Sequence, residues 1–415
     1  SVVNQFKLRG SWGELGNQNT SNLYPFYEIL PVKSNSGNWL VNGGKTNTAD
    51  IPSLVSTLLT WERVRSFNVG FDFGAFSNRL TGSFDYFVRK TVDMVGPAPQ
   101  LPLVLGIAPA IVNNADMKSY GFEIELSWRD RIGEVDYGVK FNLADAQQKV
   151  VKYPNTTNAF SDWYAGKMSG EIWGYTSLGI AKTDEEMKEH LASLPNGGQN
   201  QLGNKWGAGD IMYADINGDG KVDGGKGTLA DPGDQRIIGN STPRYNFGLV
   251  LDASYKGFDV SIFFQGVGKR DYAPIVGTNG AVFWGAVNNI WQSMAMEEHF
   301  DYFRPEGHPM GANLNGYYPR PDFTSNKNHQ VQTRYLQDAS YIRLKNLQIG
   351  YTLPKQWINK LHINRCRVYV SGDNLWTGTS LASMFDPETL AAGDWGSGKT
   401  YPLSKVISFG LNVNF

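Results

Sequence analysis

The chain has 415 residues, and 38 Lys and Arg against 39 Asp and Glu give it a formal net charge of −1. This balance excludes a nucleic-acid-binding protein, because affinity for phosphate needs a clustered excess of cations. The single cysteine, Cys366, excludes a disulfide scaffold and a cysteine-based zinc site, and no apolar run approaches the roughly 20 residues of a membrane-spanning helix.

The predicted elements are strands, because apolar and polar side chains alternate with a period of two residues. Membrane-crossing β-strands need only about 10 residues each, so a membrane β-barrel remains possible. In chain order the alternating segments are 2–12, 67–73, 79–90, 122–128, 135–143, 243–255, 258–267, 341–353, 365–375 and 407–415. The sequence therefore predicts about ten strands.

Short and long connections alternate between these strands. The short ones lie near 76–78, 130–134, 256–257 and 354–364, and the long ones near 13–60, 91–117, 148–242, 268–340 and 376–404. In an up-and-down antiparallel sheet, this order places all short turns at one end and all long loops at the other, as in outer-membrane barrels. The sequence predicts an all-β, antiparallel transmembrane β-barrel with long extracellular loops.

The composition of the two strand faces supports the same fold. The polar face is rich in Gly, Ser, Asn and Asp, which suits a hydrated lumen, and the apolar face suits lipid. Aromatic residues near the strand ends fit interfacial girdles, although aromatic residues also favour strands in general. These residues are Trp12, Trp61, Tyr86, Trp128, Tyr245, Tyr255, Tyr351 and Phe415.

The long loops contain helix signals. Thr183 and Glu186 form a capping box, and Met187 and Leu191 follow on one face, which predicts a short helix. A second helix is predicted over 287–303. The five histidines have no metal-ligand spacing, and we expect them at the surface.

An acidic loop resembles the start of an EF-hand. The predicted ligands of a structural Ca²⁺ ion are Asp215, Asn217, Asp219, the backbone carbonyl of Lys221, and Asp223. Gly220 at position 6 permits the sharp turn that brings these oxygens together. Lys226 replaces the usual glutamate at position 12, so Asp231 or Asp234 would have to complete the shell. The alternative is a loop rich in Gly and Asp that binds no metal.

Residues 393–400 match the Walker A expression letter for letter. A phosphate-binding loop needs a buried strand before it and a helix after it. Pro402 follows almost at once and the next segment alternates as a strand, so a glycine-rich loop is predicted here.

Several segments together resemble the SusC/RagA family of TonB-dependent outer-membrane transporters. They occur in family order over nearly the whole chain. The segments are 61–63 (WER) with 67–72 (FNVGFD), 113–117 (NNADM) before 121–123 (GFE), the acidic loop 215–223, 234–240 (DQRIIGN) with Pro243, 341–346 (YIRLKN), 350–354 (GYTLP), 372–375 (GDNL) and the terminal Phe415.

The resemblance implies a barrel of about 22 strands, closed by an N-terminal plug, in the outer membrane of a Gram-negative bacterium. It implies TonB-powered import of a glycan or peptide, with a SusD-like surface lipoprotein over the mouth. Residues 1–415 would be the C-terminal portion of that barrel, and the plug and the TonB-contacting segment would lie upstream. The loop tryptophans (Trp163, Trp173, Trp206, Trp284 and Trp395) would stack on ligand, pack the loops or contact the lipoprotein.

Two alternatives remain at this point. A secreted, calcium-stabilised all-β protein that binds or hydrolyses glycans would share the strand pattern and the acidic loop. A passive porin would share the barrel but lack a plug. In the main hypothesis the protein is not an enzyme, because transport involves no covalent chemistry and no nucleophile–base pair stands out.

Overall fold

A computed structural model of the chain describes residues 2–18, 24, 26–98, 102, 104, 106–107, 109–274, 281–287, 295–359, 362–390 and 400–415. The strands, numbered in chain order, are β1 (Val3–Asn17), β2 (Val32–Lys33), β3 (Leu40–Val41), β4 (Gly44–Lys45), β5 (Thr48–Ala49), β6 (Glu62–Ala75), β7 (Leu80–Val95), β8 (Asn113–Ile132), β9 (Val135–Lys152), β10 (Glu171–Gly174), β11 (Ser177–Ile180), β12 (Ile211–Tyr213), β13 (Arg236–Asn240), β14 (Arg244–Tyr255), β15 (Phe258–Lys269), β16 (Asp271–Tyr272), β17 (Gln337–Asp338), β18 (Tyr341–Thr352), β19 (Arg365–Thr379) and β20 (Val406–Asn414). The α-helices are α1 (Asp184–Ala192), α2 (Ala281–Trp284) and α3 (Lys355–Ile358).

One antiparallel sheet of 10 strands organises the chain, in the order β1-β6-β7-β8-β9-β14-β15-β18-β19-β20. Each of these strands pairs with the next one along the chain within the sheet, and the connections alternate between short and long as predicted. The β14–β15 turn is tight, because Lys256 and Gly257 both have positive φ (46° and 91°), which matches the twist of a hairpin. The predicted strand count and loop order are confirmed.

The apolar face of the sheet has no protein layer over it in the described part of the chain. A row of rings crosses four neighbouring strands, with centroids 5.8 Å apart for Phe6 and Phe71, 5.6 Å for Phe71 and Phe84, and 6.5 Å for Phe84 and Phe122. On β20, the side chain of Phe409 is 85% exposed. A soluble sandwich would bury such side chains against a second sheet, so this face is the one that meets lipid.

Several strands are longer than their sequence pattern predicts. β8 has 20 residues and β9 has 18, whereas alternation covers only 122–128 and 135–143. Most of the extra length lies at the long-loop end, where Ala115 and Met117 are buried. Alternation is lost there because a strand that leaves the lipid contacts protein or water on both faces.

Aromatic side chains collect at the short-turn end of the sheet. The indole N–H of Trp128 donates to the hydroxyl of Tyr137 at 3.2 Å, and the guanidinium of Arg79 lies 5.8 Å from the Trp128 ring centre. The rings of Phe258 and Tyr351 are 4.5 Å apart. These contacts fit a girdle at a membrane interface, where amphipathic rings are favoured.

Helix α1 forms where the capping signal predicts it. The Thr183 hydroxyl accepts from the backbone N–H of Glu186 at 3.1 Å, but the Glu186 carboxylate accepts from the N–H of Lys182 rather than from Thr183. The described part of 287–303 holds a 3₁₀ turn at Glu297–Phe300 instead of a long helix, and residues 288–294 lie outside the described residues.

Within the described ranges, no helix is long and apolar enough to cross a membrane.

Candidate functional site

Three of the long connections pack together at one end of the sheet. We call this unit the dome and define it as the described residues of 153–243, 270–340 and 380–390. Phe283 lies at the centre of its core, with ring centroids 4.9 Å from Trp284, 5.4 Å from Tyr318 and 5.9 Å from Tyr335. The buried core residues are Tyr175, Leu194, Ile211, Tyr213, Val222, Val282, Phe283, Trp284, Tyr318, Tyr335, Ala339, Leu381, Phe385 and Leu390. The dome therefore has its own hydrophobic core.

A buried ionic cluster ties distant segments of the dome together. The Asp210 carboxylate is fully buried and accepts from the Lys327 ammonium at 3.0 Å, from Arg320 at 2.6 Å and from the Asn328 amide at 2.9 Å. The Lys327 ammonium also lies 4.9 Å from the Trp206 ring centre. Because every charge in the cluster has a partner, the cluster joins these segments and offers no reactive group.

A second ionic cluster joins the dome to the sheet. Arg343 of β18 is 3% exposed and binds two carboxylates of the β19–β20 connection, Asp386 at 2.7 Å and Glu388. Lys345 binds Glu388 at 2.9 Å, and the Gln265 amide donates to the same carboxylate at 3.3 Å. The connection after β19 is thus held against the polar face of the sheet.

The polar face carries further ion pairs nearer the short-turn end. The Arg9 guanidinium bridges Asp72 at 2.9 Å and Asp85 at 2.6 Å, so it links three neighbouring strands. Arg367 of β19 donates from Nε to Asp259 of β15 at 2.9 Å. These partly exposed charges line a hydrophilic wall, as the lumen prediction requires. We call this face the polar wall.

The acidic loop has the hydrogen bonds of a series of tight turns. The Asp215 carboxylate accepts from the backbone N–H of Gly218 at 2.7 Å and of Gly220 at 2.9 Å. The Asn217 side-chain oxygen accepts from the N–H of Asp219 at 3.0 Å, and Asp219 accepts from the N–H of Lys221 at 3.2 Å. These contacts fit the first half of the predicted calcium loop.

The second half of the loop fits less well. Buried Asp234 accepts from the backbone N–H of Ile216 at 2.7 Å and of Asp223 at 2.8 Å, so it lies beside the loop. The Lys221 ammonium binds Asp223 at 2.5 Å, and this hydrogen bond lowers the pKa of the Asp223 carboxyl. Among the described residues, no three His, Cys, Asp or Glu side chains are grouped so as to hold a metal ion.

The loop tryptophans pack the dome. Trp173 stacks on Phe160 at 4.5 Å, Trp163 contacts Tyr153 edge-on at 6.0 Å, and Trp284 is in the core. Trp395 lies outside the described residues, as does the Walker-like segment except Thr400.

The prediction that the histidines lie at the surface is wrong for His329. Its side chain is 2% exposed and stacks on Trp284 at 4.4 Å. Burial lowers the pKa of His329 to about 4, so its imidazole is neutral at pH 7. Histidine spacing carries no signal for this position, because the burial comes from segments that are distant in sequence.

An open antiparallel sheet with a lipid-facing side, a polar wall and a dome of long loops at one end defines part of an outer-membrane β-barrel. The family described as "TonB dependent receptor-like, beta-barrel" matches residues 1–375, and the chain belongs to this family. Such proteins are located in the outer membrane of Gram-negative bacteria. That location overturns the alternative of a secreted protein.

Comparison with individual proteins confirms the SusC/RagA resemblance. TonB-dependent receptor P3 of Formosa agariphila is 28% identical over 445 residues, covering 100% of this chain and 40% of that receptor. SusC of Bacteroides thetaiotaomicron is 21% identical over 431 residues, covering 100% and 38%. The solved structure of the RagAB peptide transporter shares the fold, with a TM-score of 0.71, 23% identity and coverage of 100% and 41%. The chain thus spans about 40% of the length of the curated relatives it matches.

Proposed function

We propose that this chain is the C-terminal portion of the barrel of an active nutrient importer. Residues 1–415 would form the wall and the dome, while a plug domain and a TonB-contacting segment would lie in the upstream part of the full-length protein. A SusD-like lipoprotein would cover the dome side, and the cargo would be a glycan or an oligopeptide. The protein would act as a transporter and not as an enzyme.

The observation that carries this proposal is that the same chain has a polar wall on one face of its sheet and a well-packed dome at one end. Ion pairs such as Arg9 with Asp72 and Asp85 keep the inner face hydrophilic, while the opposite face carries a row of phenylalanine rings. A hydrated wall lets a polar cargo pass without covalent change. Family membership supports TonB as the source of energy, since a barrel alone offers only passive diffusion.

Uptake by the full-length transporter tests the proposal. Cells that carry the intact gene should accumulate a fluorescent oligopeptide or oligosaccharide, and deletion of either the transporter or TonB should abolish this accumulation. Uptake that persists without TonB would favour the passive porin. Co-purification of a surface lipoprotein with the transporter in detergent would test the partner separately, with a barrel lacking the dome segment 153–243 as its control.

We also propose that the loop over 215–223 binds a structural Ca²⁺ ion. The turns around Asp215, Asn217 and Asp219 support this proposal, and a Ca²⁺ ion would have to displace the Lys221 ammonium from Asp223. The role of the ion would be to fix the loop. Hydrogen exchange of the loop amides should rise when EDTA is added and fall again with Ca²⁺ but not with Mg²⁺. Unchanged exchange with EDTA would contradict the proposal.

A further inference from the structure

A cavity of about 270 Å³ opens in the dome. Its floor and walls include Trp284, Tyr318 and His329, and its rim includes Phe300 and Phe323, which are 54% and 62% exposed. The floor is firmly packed, because Trp284 stacks on His329 and contacts Tyr318 edge-on at 6.3 Å. Exposed aromatic side chains around an apolar cavity are typical of a place where another molecule binds.

Two buried polar atoms at this floor lack hydrogen-bond partners among the described residues. The Nδ1 atom of His329 and the indole N–H of Trp284 are both buried, and neither makes a hydrogen bond within the described ranges of the chain. An unpartnered buried polar group costs on the order of 1–3 kcal/mol, so its presence in a folded protein calls for a reason. A ligand with one hydrogen-bonding group, reached by a small rotation of either ring, would satisfy one of these atoms.

Two further polar side chains of the lining, Arg320 and His299, are already engaged by protein partners. Arg320 binds Asp210 through two nitrogens, and the two ring nitrogens of His299 lie within 3.0 and 3.1 Å of backbone partners at Met296 and Val282. A pyranose ring would bring four or five hydroxyl groups into this cavity, and most of them would lose their hydrogen bonds to water without replacement. An aromatic ring with a single polar atom matches the lining better, because its carbon faces can contact aromatic walls.

We propose that this cavity is a binding subsite for an aromatic side chain of the tyrosine or tryptophan type, presented by an oligopeptide. The proposal rests on the importer function proposed above and narrows its cargo to peptides with such a side chain. The ring would enter between Phe300 and Phe323 and lie against Trp284 and Tyr318. Its hydroxyl or indole N–H would reach the neutral imidazole of His329.

Calorimetric titration of the full-length transporter in detergent tests this subsite. The probes are the peptides Gly-Gly-Tyr-Gly, Gly-Gly-Phe-Gly and Gly-Gly-Ala-Gly, with methyl α-D-glucopyranoside as the sugar probe. The tyrosine peptide should bind at least about tenfold more tightly than the alanine peptide, as expected for one buried aromatic contact. Equal affinity for these two peptides, or tighter binding of the sugar, would overturn the proposal.

Matched variants locate the binding. Phe323→Ala, at the rim, should weaken the tyrosine peptide about tenfold. Leu178→Ala is the control, because Leu178 is a similarly exposed apolar side chain of the dome (60%) outside the cavity lining. Equal loss in both variants would overturn the assignment. Heat-modifiable migration on a gel verifies that each variant is folded.

A third variant tests the hydrogen bond. His329→Phe keeps a ring against Trp284 but removes the nitrogen, so it should abolish the preference for the tyrosine peptide over the phenylalanine peptide. An unchanged preference would overturn the role of His329. The uptake assay is independent of these titrations. TonB-dependent uptake without cavity binding would refute the subsite alone, whereas cavity binding without such uptake would refute the importer function alone.

Discussion

The buried imidazole of His329 predicts that the dome loses stability as the pH falls from 7 toward 4. Burial lowers the pKa of this imidazole from 6.5 to about 4, whereas the ring has its ordinary pKa once the dome unfolds. Between these two pKa values the unfolded state binds a proton that the folded state does not bind. The free energy of unfolding therefore falls with falling pH, by about 2 kcal/mol at pH 5 and about 3 kcal/mol at pH 4.

Hydrogen exchange of the full-length transporter at pH 7, 6 and 5 measures this effect, after correction for the intrinsic rates. Protection of dome amides should fall by about thirtyfold at pH 5 if they exchange through unfolding of the dome. In His329→Gln this pH dependence should largely vanish, whatever the baseline stability of the variant. His308→Gln, which alters a half-buried histidine of the same dome, is the control. An unchanged pH dependence in His329→Gln would refute the reasoning.

Two further predictions use matched pairs of substitutions. Lys327→Met removes a buried partner of Asp210 and should cost the dome about 3–5 kcal/mol in hydrogen-exchange stability, whereas Lys256→Met, at an exposed ion pair, should cost less than about 1 kcal/mol. Equal losses of stability in the two variants would show that burial does not increase the contribution of an ion pair. Ile262→Lys directs a charge toward lipid and should destabilise folding into lipid vesicles by about 2–4 kcal/mol, whereas Ser261→Lys faces the polar wall and should fold nearly normally. Equal folding stability of the two variants in vesicles would contradict the assignment of the lipid-facing side and the polar wall.

The strands of the sheet could be predicted from the sequence because the alternation that marks a strand involves only residues that are close together in the chain. Each strand that crosses lipid has one apolar and one polar face, so neighbouring residues along the chain reveal its orientation. The register agrees with that pattern, since Val368, Val370 and Cys366 of β19 pair with Leu411, Phe409 and Val413 of β20. The apolar set of each strand therefore lies on the same side of the sheet.

The dome could not be predicted in the same way, because its contacts join residues that are far apart in sequence. Asp210 and Lys327 are separated by 117 positions, and Arg343 and Glu388 by 45. The family segment 341–346 contains Arg343, but nothing in that segment indicates which carboxylate it binds. The acidic loop is an intermediate case. Its turns are local and follow the predicted spacing, while the approach of Asp234 depends on the path of the chain beyond the loop.

The polar segment 325–330 explains why the dome cavity escapes sequence analysis. Its composition is typical of an exposed loop, yet Lys327, Asn328 and His329 are 1%, 2% and 2% exposed. Lys327 and Asn328 both have hydrogen-bond partners, because Asp210 binds them both and the Asn328 side-chain oxygen accepts from the N–H of Ile211 at 2.9 Å. In the part of the chain that the structure describes, His329 has no such partner at Nδ1. The neighbouring polar side chains of this segment have hydrogen-bond partners. The imidazole of His329 lies beside an open cavity with its Nδ1 atom available, so it is the group that a ligand would engage.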